Sequence, residues 1–160
     1  MNCNLSQLKM SARGRSPQFI GVEMAHWELF SHDADIGIRG IGETPAKAFE
    51  MAAKALTAVV VDPERVLASK TISLELEEKD LEFLFFEWIN HLIHETDTQK
   101  MLFKNFEVTI EDQKLLAKIS GDELCNIPAH ISVKIKRPTF NALKVIHFQG
   151  NWTAQCVIDL

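Results

Sequence analysis

The chain has 160 residues, 46% of them hydrophobic, and a formal net charge of −5 at pH 7. This size and apolar content suit one domain with its own core, and the acidic balance argues against a dedicated nucleic-acid binder, which gathers Lys and Arg on one face. No stretch approaches the roughly 20 apolar residues of a membrane span, and the three cysteines show no metal or redox spacing. We therefore expect a cytoplasmic protein that binds neither membranes nor nucleic acid directly.

The beginning of the chain differs in character from the rest. It carries basic residues at Lys9, Arg13 and Arg15, but it has neither the apolar segment of a secretory signal nor a strong period. We predict a disordered extension over residues 1–23 and a single domain over residues 24–160.

The first predicted elements are two short strands and a helix. Residues 26–30 and 34–41 are largely apolar and are separated by a polar break, which predicts a β-hairpin or two short strands with a bulge. Thr44 suits the N-cap of a helix, and Pro45 suits its first turn. Apolar residues at a period of about 3.6 extend that helix over residues 45–59.

The rest of the chain contains a second helix and further strands. Strict alternation over residues 71–77 predicts a half-buried strand, and Asp80 is typical of the N-cap of the helix that follows. Phe83 and Phe86 widen the apolar stripe of this helix, and we interpret both as core residues rather than as an aromatic binding site. Further strands are predicted, with a tight turn at Gly150-Asn151 before the last one. These strands cover residues 103–111, 114–121, 131–136, 141–148 and 152–160.

Together these elements predict an α+β fold, a two-layer sandwich in which two amphipathic helices pack on one face of a mostly antiparallel β-sheet. The basic stretch from Lys134 to Arg137 alternates with apolar positions. It is therefore interpreted as an edge strand with one cationic side.

Two pairs of carboxylates are candidates for a cation site. In an extended backbone, Asp33 and Asp35 point to one side and His32 points to the other. Such a pair beside glycines could hold a hard cation; alternatively, Asp33 forms the turn and Asp35 accepts hydrogen bonds from nearby amides. The second pair is Asp159 with the carboxylate of Leu160, the last residue of the sequence.

Other chemistry has weaker support. His91 and His94 lie three residues apart on the second helix, with Asp97 close by, but the HExxH spacing is missing and a solvated face is the simpler interpretation. The sequence has no P-loop, no GxGxxG motif and no GxSxG motif. The residues alone therefore indicate a domain with a candidate cation site and no evident catalytic apparatus.

The stretch His32-Asp33-Ala34-Asp35-Ile36-Gly37-Ile38 resembles the N-terminal signature of the archease family, and further matches follow in order to the end of the chain. These matches are Gly42-Glu43-Thr44, Ala48-Phe49-Glu50, Asp80-Leu81, Leu84-Phe85, Phe103-Lys104-Asn105-Phe106-Glu107-Val108, Gly121-Asp122-Glu123, His130, Ile135-Lys136 and Val157-Ile158-Asp159-Leu160. The resemblance runs from about residue 24 to the last residue. The signature and the ending together are specific, whereas either alone would be weak.

The resemblance implies a cation site. In that family the cation is held by the aspartate of the signature, the penultimate aspartate and the terminal carboxylate, which here are Asp35, Asp159 and Leu160. Asp33 and His32 are additional candidates. Calcium is the first expectation, and magnesium or manganese would suit the same oxygen ligands. This ligand set requires the strand of the signature and the last strand to lie side by side.

The resemblance also implies a partner. Archeases act on the GTP-dependent tRNA-splicing RNA ligase, promoting guanylation of its active-site histidine and multiple turnover, and are also described as chaperone-like modulators of tRNA-modifying enzymes. This chain is therefore expected to be an activator and not an enzyme. Two alternatives stay open: a metal-dependent hydrolase that uses the same carboxylates, and a general chaperone with a structural cation.

The sequence departs from the family pattern near one candidate contact. Lys136 matches a lysine of the family and is a candidate for partner contact. The residues that follow it, from Arg137 to Asn141, differ from the family, and Pro138 is expected to break a strand there. Asp33 stands where the family often has threonine and adds a negative charge beside the expected site.

Overall fold

The computed structural model describes residues 24–160, and the extension predicted over residues 1–23 lies outside the described residues. In chain order the elements are β1 (His26–His32), β2 (Asp35–Gly42), α1 (Pro45–Val60), β3 (Lys70–Glu77), α2 (Leu81–Gln99), β4 (Met101–Glu111), β5 (Lys114–Glu123), β6 (Arg137–Pro138), β7 (Lys144–Phe148) and β8 (Asn151–Asp159). Short 3₁₀ turns at Pro63–Arg65 and Leu124–Asn126 follow α1 and β5.

Helix α1 begins at the predicted cap and packs closely on the first strands. The Thr44 Oγ1 accepts a hydrogen bond from the Lys47 N–H at 3.0 Å, which satisfies one of the free amides of the first turn. The buried face of the helix is rich in alanine, including Ala48 and Ala52. These small side chains let α1 approach β2 so closely that a Cβ added to Gly40 would lie 2.0 Å from the Ala48 carbonyl oxygen.

The same helix also holds β4. The Thr57 Oγ1 donates a hydrogen bond to the Phe103 carbonyl at 2.8 Å, and the Glu50 Oε2 accepts one from the Val108 N–H at 2.8 Å. Both acceptor and donor lie on β4, which belongs to a different sheet from β2. Helix α1 therefore connects two sheets through apolar contact on one side and polar contact on the other.

Asp80 is the N-cap of helix α2, as predicted, and the helix packs against α1 through aromatic side chains. The Asp80 carboxylate accepts a hydrogen bond from the Phe83 N–H at 2.8 Å. The Trp88 Nε1 donates to the Phe49 carbonyl at 3.0 Å, and the rings of Phe49 and Phe85 meet edge to face with centroids 5.1 Å apart. Neither α1 nor α2 is long and apolar enough to span a membrane.

The two other phenylalanines of α2 are not core residues. Phe83 is 49% exposed. Phe86 is half-buried and stacks on Phe140, with ring centroids 4.4 Å apart. The prediction that both belong to the core is therefore wrong for Phe83, and Phe86 lies at the rim. Both rings contact Phe140 instead, which is itself exposed.

The strands form two antiparallel sheets. One has the order β1-β2-β8-β6, with β7 also paired to β8, and the other has the order β3-β5-β4. The predicted α+β class, with helices packed on mostly antiparallel strands, is confirmed. The sequence predicted one sheet, but the strands form two. Helix α1 lies across both sheets, and no described strand joins them.

The pairing of β2 with β8 forms the centre of the larger sheet. Ile38 pairs with Cys156 and Ile36 pairs with Ile158, and these side chains face the core beneath α1. Cys156 is fully buried, and burial raises the pKa of its thiol to about 12. The intervening residues of both strands lie on the opposite face of the sheet.

The strand predicted over residues 131–136 is absent, and β6 comprises Arg137–Pro138 alone. Ile131, Val133 and Ile135 do alternate inward, but they line a cavity of about 300 Å³ between α1 and α2. The alternation of apolar residues here therefore indicates which side chains are buried, and it does not indicate that the backbone pairs with another strand. The expectation that Pro138 breaks a strand is also wrong, since Pro138 pairs with Ile158 at the edge of the sheet, where a missing N–H is tolerated.

The hairpin at the end of the chain differs from the prediction by a few residues. The strand predicted over 141–148 begins at Lys144, because Ala142 has a φ of 55° and belongs to a turn. The predicted turn at Gly150-Asn151 is shifted by one position. Gln149 and Gly150 have φ values of 51° and 84° and form the turn, while Asn151 already belongs to β8.

The close approach of α1 to β2 predicts a large effect of Gly40→Ala. The added methyl group would overlap the helix backbone, so the helix or the strand must move, and we expect a loss of about 2 kcal/mol or more in the free energy of unfolding. Gly37→Ala is the control, since its methyl group would meet the movable ring of Phe30. Urea denaturation followed by circular dichroism measures both variants; equal losses would contradict close backbone packing at Gly40.

Candidate functional site

The signature aspartates lie at and beside the turn between β1 and β2. His32 pairs with Asp35, so Asp33 and Ala34 form the two-residue turn. Asp33 has a φ of 53°, a left-handed conformation that aspartate tolerates better than most residues. Its side chain is 94% exposed, and one oxygen lies 3.9 Å from the His32 Nδ1. Asp33 therefore forms the turn, which is the alternative raised for it from sequence.

The β2–β8 pairing brings Asp35 next to Asp159. Ile36 is opposite Ile158 in this antiparallel pair, so one further step of the same register places Asp35 opposite Asp159. Because both isoleucines face the core, both aspartates face the outer side of the sheet. The strand of the signature and the last strand thus lie side by side, and Leu160 follows immediately after Asp159.

A basic residue lies on the other side of Asp159. In β6, Arg137 pairs with Asp159, and its Nη2 is 3.2 Å from the Asp159 Oδ2. His32, Asp35, Asp159 and Arg137 therefore form one row across the strands β1, β2, β8 and β6, which we call the charged row. Within residues 24–160 the Asp35 carboxylate has no hydrogen bond or ion pair. One of the two aspartates is thus neutralised by a guanidinium and the other is not.

Lys136 is held at the same end of the sheet by its backbone. Its N–H donates a hydrogen bond to the Asp159 carbonyl at 2.9 Å, while its side chain is exposed. The hydrogen bond fixes the position of the lysine beside the charged row. The ammonium group is left accessible to solvent, as a residue that contacts a partner would be.

The outer face behind the charged row carries a second cluster of charges. The Arg39 Nη1 donates to the Glu28 Oε1 at 2.8 Å, its Nε donates to the Gln155 Oε1 at 2.8 Å, and its guanidinium lies 4.4 Å from the centre of the Phe30 ring. Glu28 also contacts the His26 Nε2 at 3.1 Å. The hydrogen bond to His26 and the charge of Arg39 outweigh partial burial and lower the pKa of Glu28 to about 2. Strands β1, β2 and β8 are therefore tied together beside the row.

The carboxylates of the charged row are oxygen donors of the kind that a hard cation takes. Within residues 24–160, no three His, Cys, Asp or Glu side chains are grouped so that they could hold a metal ion. A cation here would have Asp35 and Asp159 as side-chain ligands and the main-chain carboxylate of Leu160 as the third. Three carboxylates suit the oxygen preference of calcium or magnesium, with water completing the shell. Arg137 would compete with such a cation for Asp159.

The histidines of α2 do not join this site. The Asp97 carboxylate lies 3.5 Å from the Lys134 Nζ, and the His91 Nδ1 lies 3.1 Å from the Glu87 carbonyl oxygen. His94 is exposed. These contacts agree with the solvated face predicted for this part of the helix.

Arg137 is the residue of the site that the sequence analysis did not identify. From sequence, Arg137 was assigned to a basic edge strand. Nothing in the sequence indicated that a two-residue strand containing proline would pair with the end of β8. The departure from the family pattern that begins at Arg137 was the one available signal.

Comparison with known proteins places the chain among relatives of one family. Residues 27–160 match the model of the Archease protein family (MTH1598/TM1083). The protein archease of Pyrococcus abyssi is 35% identical over 142 residues, which cover 86% of this chain and the whole of that protein. The protein archease of Thermococcus kodakarensis is 34% identical over 142 residues, with the same coverage.

Two solved structures share the fold. The solution structure of Methanobacterium thermoautotrophicum protein 1598 matches with a TM-score of 0.73 and 28% identity, over 84% of this chain and 98% of that one. The crystal structure of an archease from Thermotoga maritima, described as a possible chaperone, matches with a TM-score of 0.53 over 82% of this chain and 94% of that one. At 17% identity, the second likeness shows the fold alone.

The low pKa of Glu28 predicts an acid dependence of stability. A carboxylate whose pKa falls from 4.5 to about 2 on folding stabilises the protein above pH 4.5, and this contribution is lost as the pH falls towards 2. We expect Glu28→Gln to remove about 2 kcal/mol of the stability difference between pH 5 and pH 2. Urea denaturation across this range measures it, with Glu43→Gln at an exposed position as the control. A steep dependence that is unchanged in Glu28→Gln would contradict the assignment.

Proposed function

The chain belongs to the archease family, and from this premise we propose that it activates the GTP-dependent tRNA-splicing RNA ligase in the cytoplasm. In this role it is a protein cofactor and not an enzyme: it promotes guanylation of the ligase and multiple turnover. The support is the family match over residues 27–160 together with the register that aligns Asp35 and Asp159. This register is the observation that supports Asp35 and Asp159 as a proposed pair of ligands.

A divalent cation is part of this proposal. Asp35, Asp159 and the carboxylate of Leu160 would hold it, with calcium as the first candidate and magnesium or manganese as alternatives. When bound, the cation would neutralise adjacent negative charges and offer open coordination positions to an oxygen ligand of the partner. His32, which belongs to the row, and Asp33, which lies next to it, are further candidate ligands.

The other residues of the row have separate proposed tasks. Arg137 neutralises Asp159 when no cation is bound, which limits repulsion between the two aspartates. Lys136, fixed through its backbone and exposed at its side chain, would contact the partner. The hydrogen bond from Lys136 to the Asp159 carbonyl does not involve the carboxylate, so it persists whichever positive group faces Asp159.

The charge of the chain fits a protein partner that binds RNA. A net charge of −5 is complementary to the basic surface of an RNA-binding enzyme, and it does not favour direct contact of this chain with nucleic acid. The RNA ligase is the proposed partner, and tRNA-modifying enzymes are a second group with the same basic character.

The test of the function is ligation by the cognate RNA ligase under single and multiple turnover. We expect the wild-type chain to raise multiple-turnover ligation, and Asp35→Asn and Asp159→Asn each to lower this stimulation by about tenfold or more, because each removes a charged cation ligand. Asp112→Asn, in the exposed turn between β4 and β5, is the matched control and should stimulate fully.

Each outcome of this assay has a defined meaning. No stimulation by the wild-type chain would contradict the function, and full stimulation by Asp35→Asn and Asp159→Asn would contradict the site. Phosphate-ester hydrolysis by the chain alone with manganese, lost in Asp35→Asn, would identify a hydrolase instead.

The competition between Arg137 and a cation predicts a gain on substitution. Since an exposed ion pair is worth about 0.5–1 kcal/mol, Arg137→Gln should tighten calcium binding by roughly two- to fivefold. Isothermal titration calorimetry measures this, with Arg65→Gln, whose guanidinium contacts the Pro128 carbonyl far from the row in sequence, as the control. Weaker binding by Arg137→Gln would mean that the guanidinium supports the cation site and does not compete with it.

A further inference from the structure

Strand β7 is an unpaired edge of the larger sheet within residues 24–160. It pairs with β8 and with no other strand among the described residues. Two of its five side chains are large, apolar and exposed to solvent: Ile146 is 46% exposed and Phe148 is 68% exposed. Its single charged residue is Lys144. An exposed edge with apolar side chains and few charges is a template for pairing with another strand.

The geometry of the hairpin determines which backbone N–H and C=O groups of β7 point towards this open edge. Phe148 and Asn151 close the two-residue turn and pair with each other, and the closing pair of such a hairpin is hydrogen-bonded. Because hydrogen-bonded and non-hydrogen-bonded pairs alternate in an antiparallel ladder, Ile146 and Lys144 also bond to β8. The N–H and C=O groups of Val145 and His147 therefore point away from β8, towards the open side.

The edges of the smaller sheet are protected in ways that β7 is not. In β4 a bulge lies between Phe103 and Asn105, and the Val108 N–H is occupied by the Glu50 carboxylate. In β3 three exposed charged residues, Lys70, Glu75 and Glu77, line the strand. Charges, bulges and covering groups are the usual means of preventing edge pairing. Strand β7 has no bulge in its register with β8 and no carboxylate.

We propose that β7 pairs with β7 of a second copy of this chain, antiparallel about a two-fold axis through Ile146. In this register Val145 of each copy bonds to His147 of the other, so all the outward-facing groups are used. Ile146 meets Ile146 of the second copy on the outer face, and Lys144 lies opposite Phe148. The two larger sheets then form one continuous sheet.

The strand is complementary to itself, and this favours a second copy over an unrelated strand. The Lys144 ammonium and the Phe148 ring are a cation–π pair, and it forms twice because the axis repeats it. If the register moved by two residues, only one hydrogen-bonded pair could form between the copies. The outward-facing N–H and C=O groups of either Val145 or His147 would then have no bonding partner on the second copy. The apolar side chains that are exposed in one copy are therefore covered without placing like charges opposite each other.

This association is independent of the proposed ligase activation. Strand β7 pairs with the first half of β8, from Asn151 to Gln155, whereas Asp159 lies at the other end of β8. Loss of pairing would leave the charged row unchanged, and loss of the row would leave β7 unchanged. A five-residue edge buries little area, so the dimer should be weak, with dissociation in roughly the micromolar range.

Sedimentation equilibrium tests the dimer. The wild-type chain should show a reversible monomer–dimer equilibrium between about 1 and 200 µM, and Ile146→Lys, which places two ammonium groups against each other, should raise the dissociation constant by about tenfold or more. The control is Leu116→Lys, since Leu116 is similarly exposed, at 48%, on β5 of the other sheet. It should leave the equilibrium unchanged. Circular dichroism verifies that both variants are folded.

A disulfide tests the register. In a background with Cys3→Ser and Cys125→Ser, Ile146→Cys should give a covalent dimer on mild oxidation, because Cα atoms of a non-hydrogen-bonded pair lie about 4.5 Å apart, within disulfide range. Leu116→Cys should form no covalent dimer under the same oxidation. Three results would each overturn the proposal. The wild-type chain could be monomeric throughout the concentration range, or Ile146→Lys could leave the dimer unaffected. The third is that Ile146→Cys cross-links no faster than Leu116→Cys.

Discussion

The antiparallel pairing of β2 with β8 is the constraint on which both the core and the candidate site depend. It joins residues that are more than a hundred positions apart in sequence. One register decides two things, because alternate residues face opposite sides of a sheet. Ile36 and Ile158 enter the core, and Asp35 and Asp159 therefore meet on the outside. A slip of one residue would bury the aspartates and expose the isoleucines, so the stability of the core fixes the geometry of the charged row.

Helix α1 holds this pair in place relative to the rest of the molecule. On one side its alanines lie against Gly40 in β2 with no room for a methyl group. On the other side Glu50 and Thr57 bond to β4. The first contact is apolar and depends on small side chains, and the second satisfies buried or edge polar groups that would otherwise cost free energy. A two-sheet domain with one shared helix follows from these contacts.

The elements with strong local signals could be predicted from sequence, and those set by tertiary contact could not. Thr44 and Asp80 cap their helices as expected, and the alternation of β3 was correctly assigned. Residues 131–136 show the same alternation but cover a cavity, since periodicity records which side chains are buried and not what the backbone pairs with. The resemblance to a family supplied Asp35 and Asp159 as neighbours; residue patterns alone left them as two unrelated candidates.

Arg137 changes the physical argument for a cation at the charged row. Two adjacent carboxylates repel each other unless a positive group lies close to them, and a metal ion is one such group. The structure places a guanidinium on Asp159, so that requirement is already partly met. Arg137 is, however, 69% exposed at its side chain, and its ion pair is therefore weak. The backbone bond from Lys136 fixes β8 independently of Arg137. The strand that carries Asp159 is thus held in place whether or not its carboxylate is paired with Arg137.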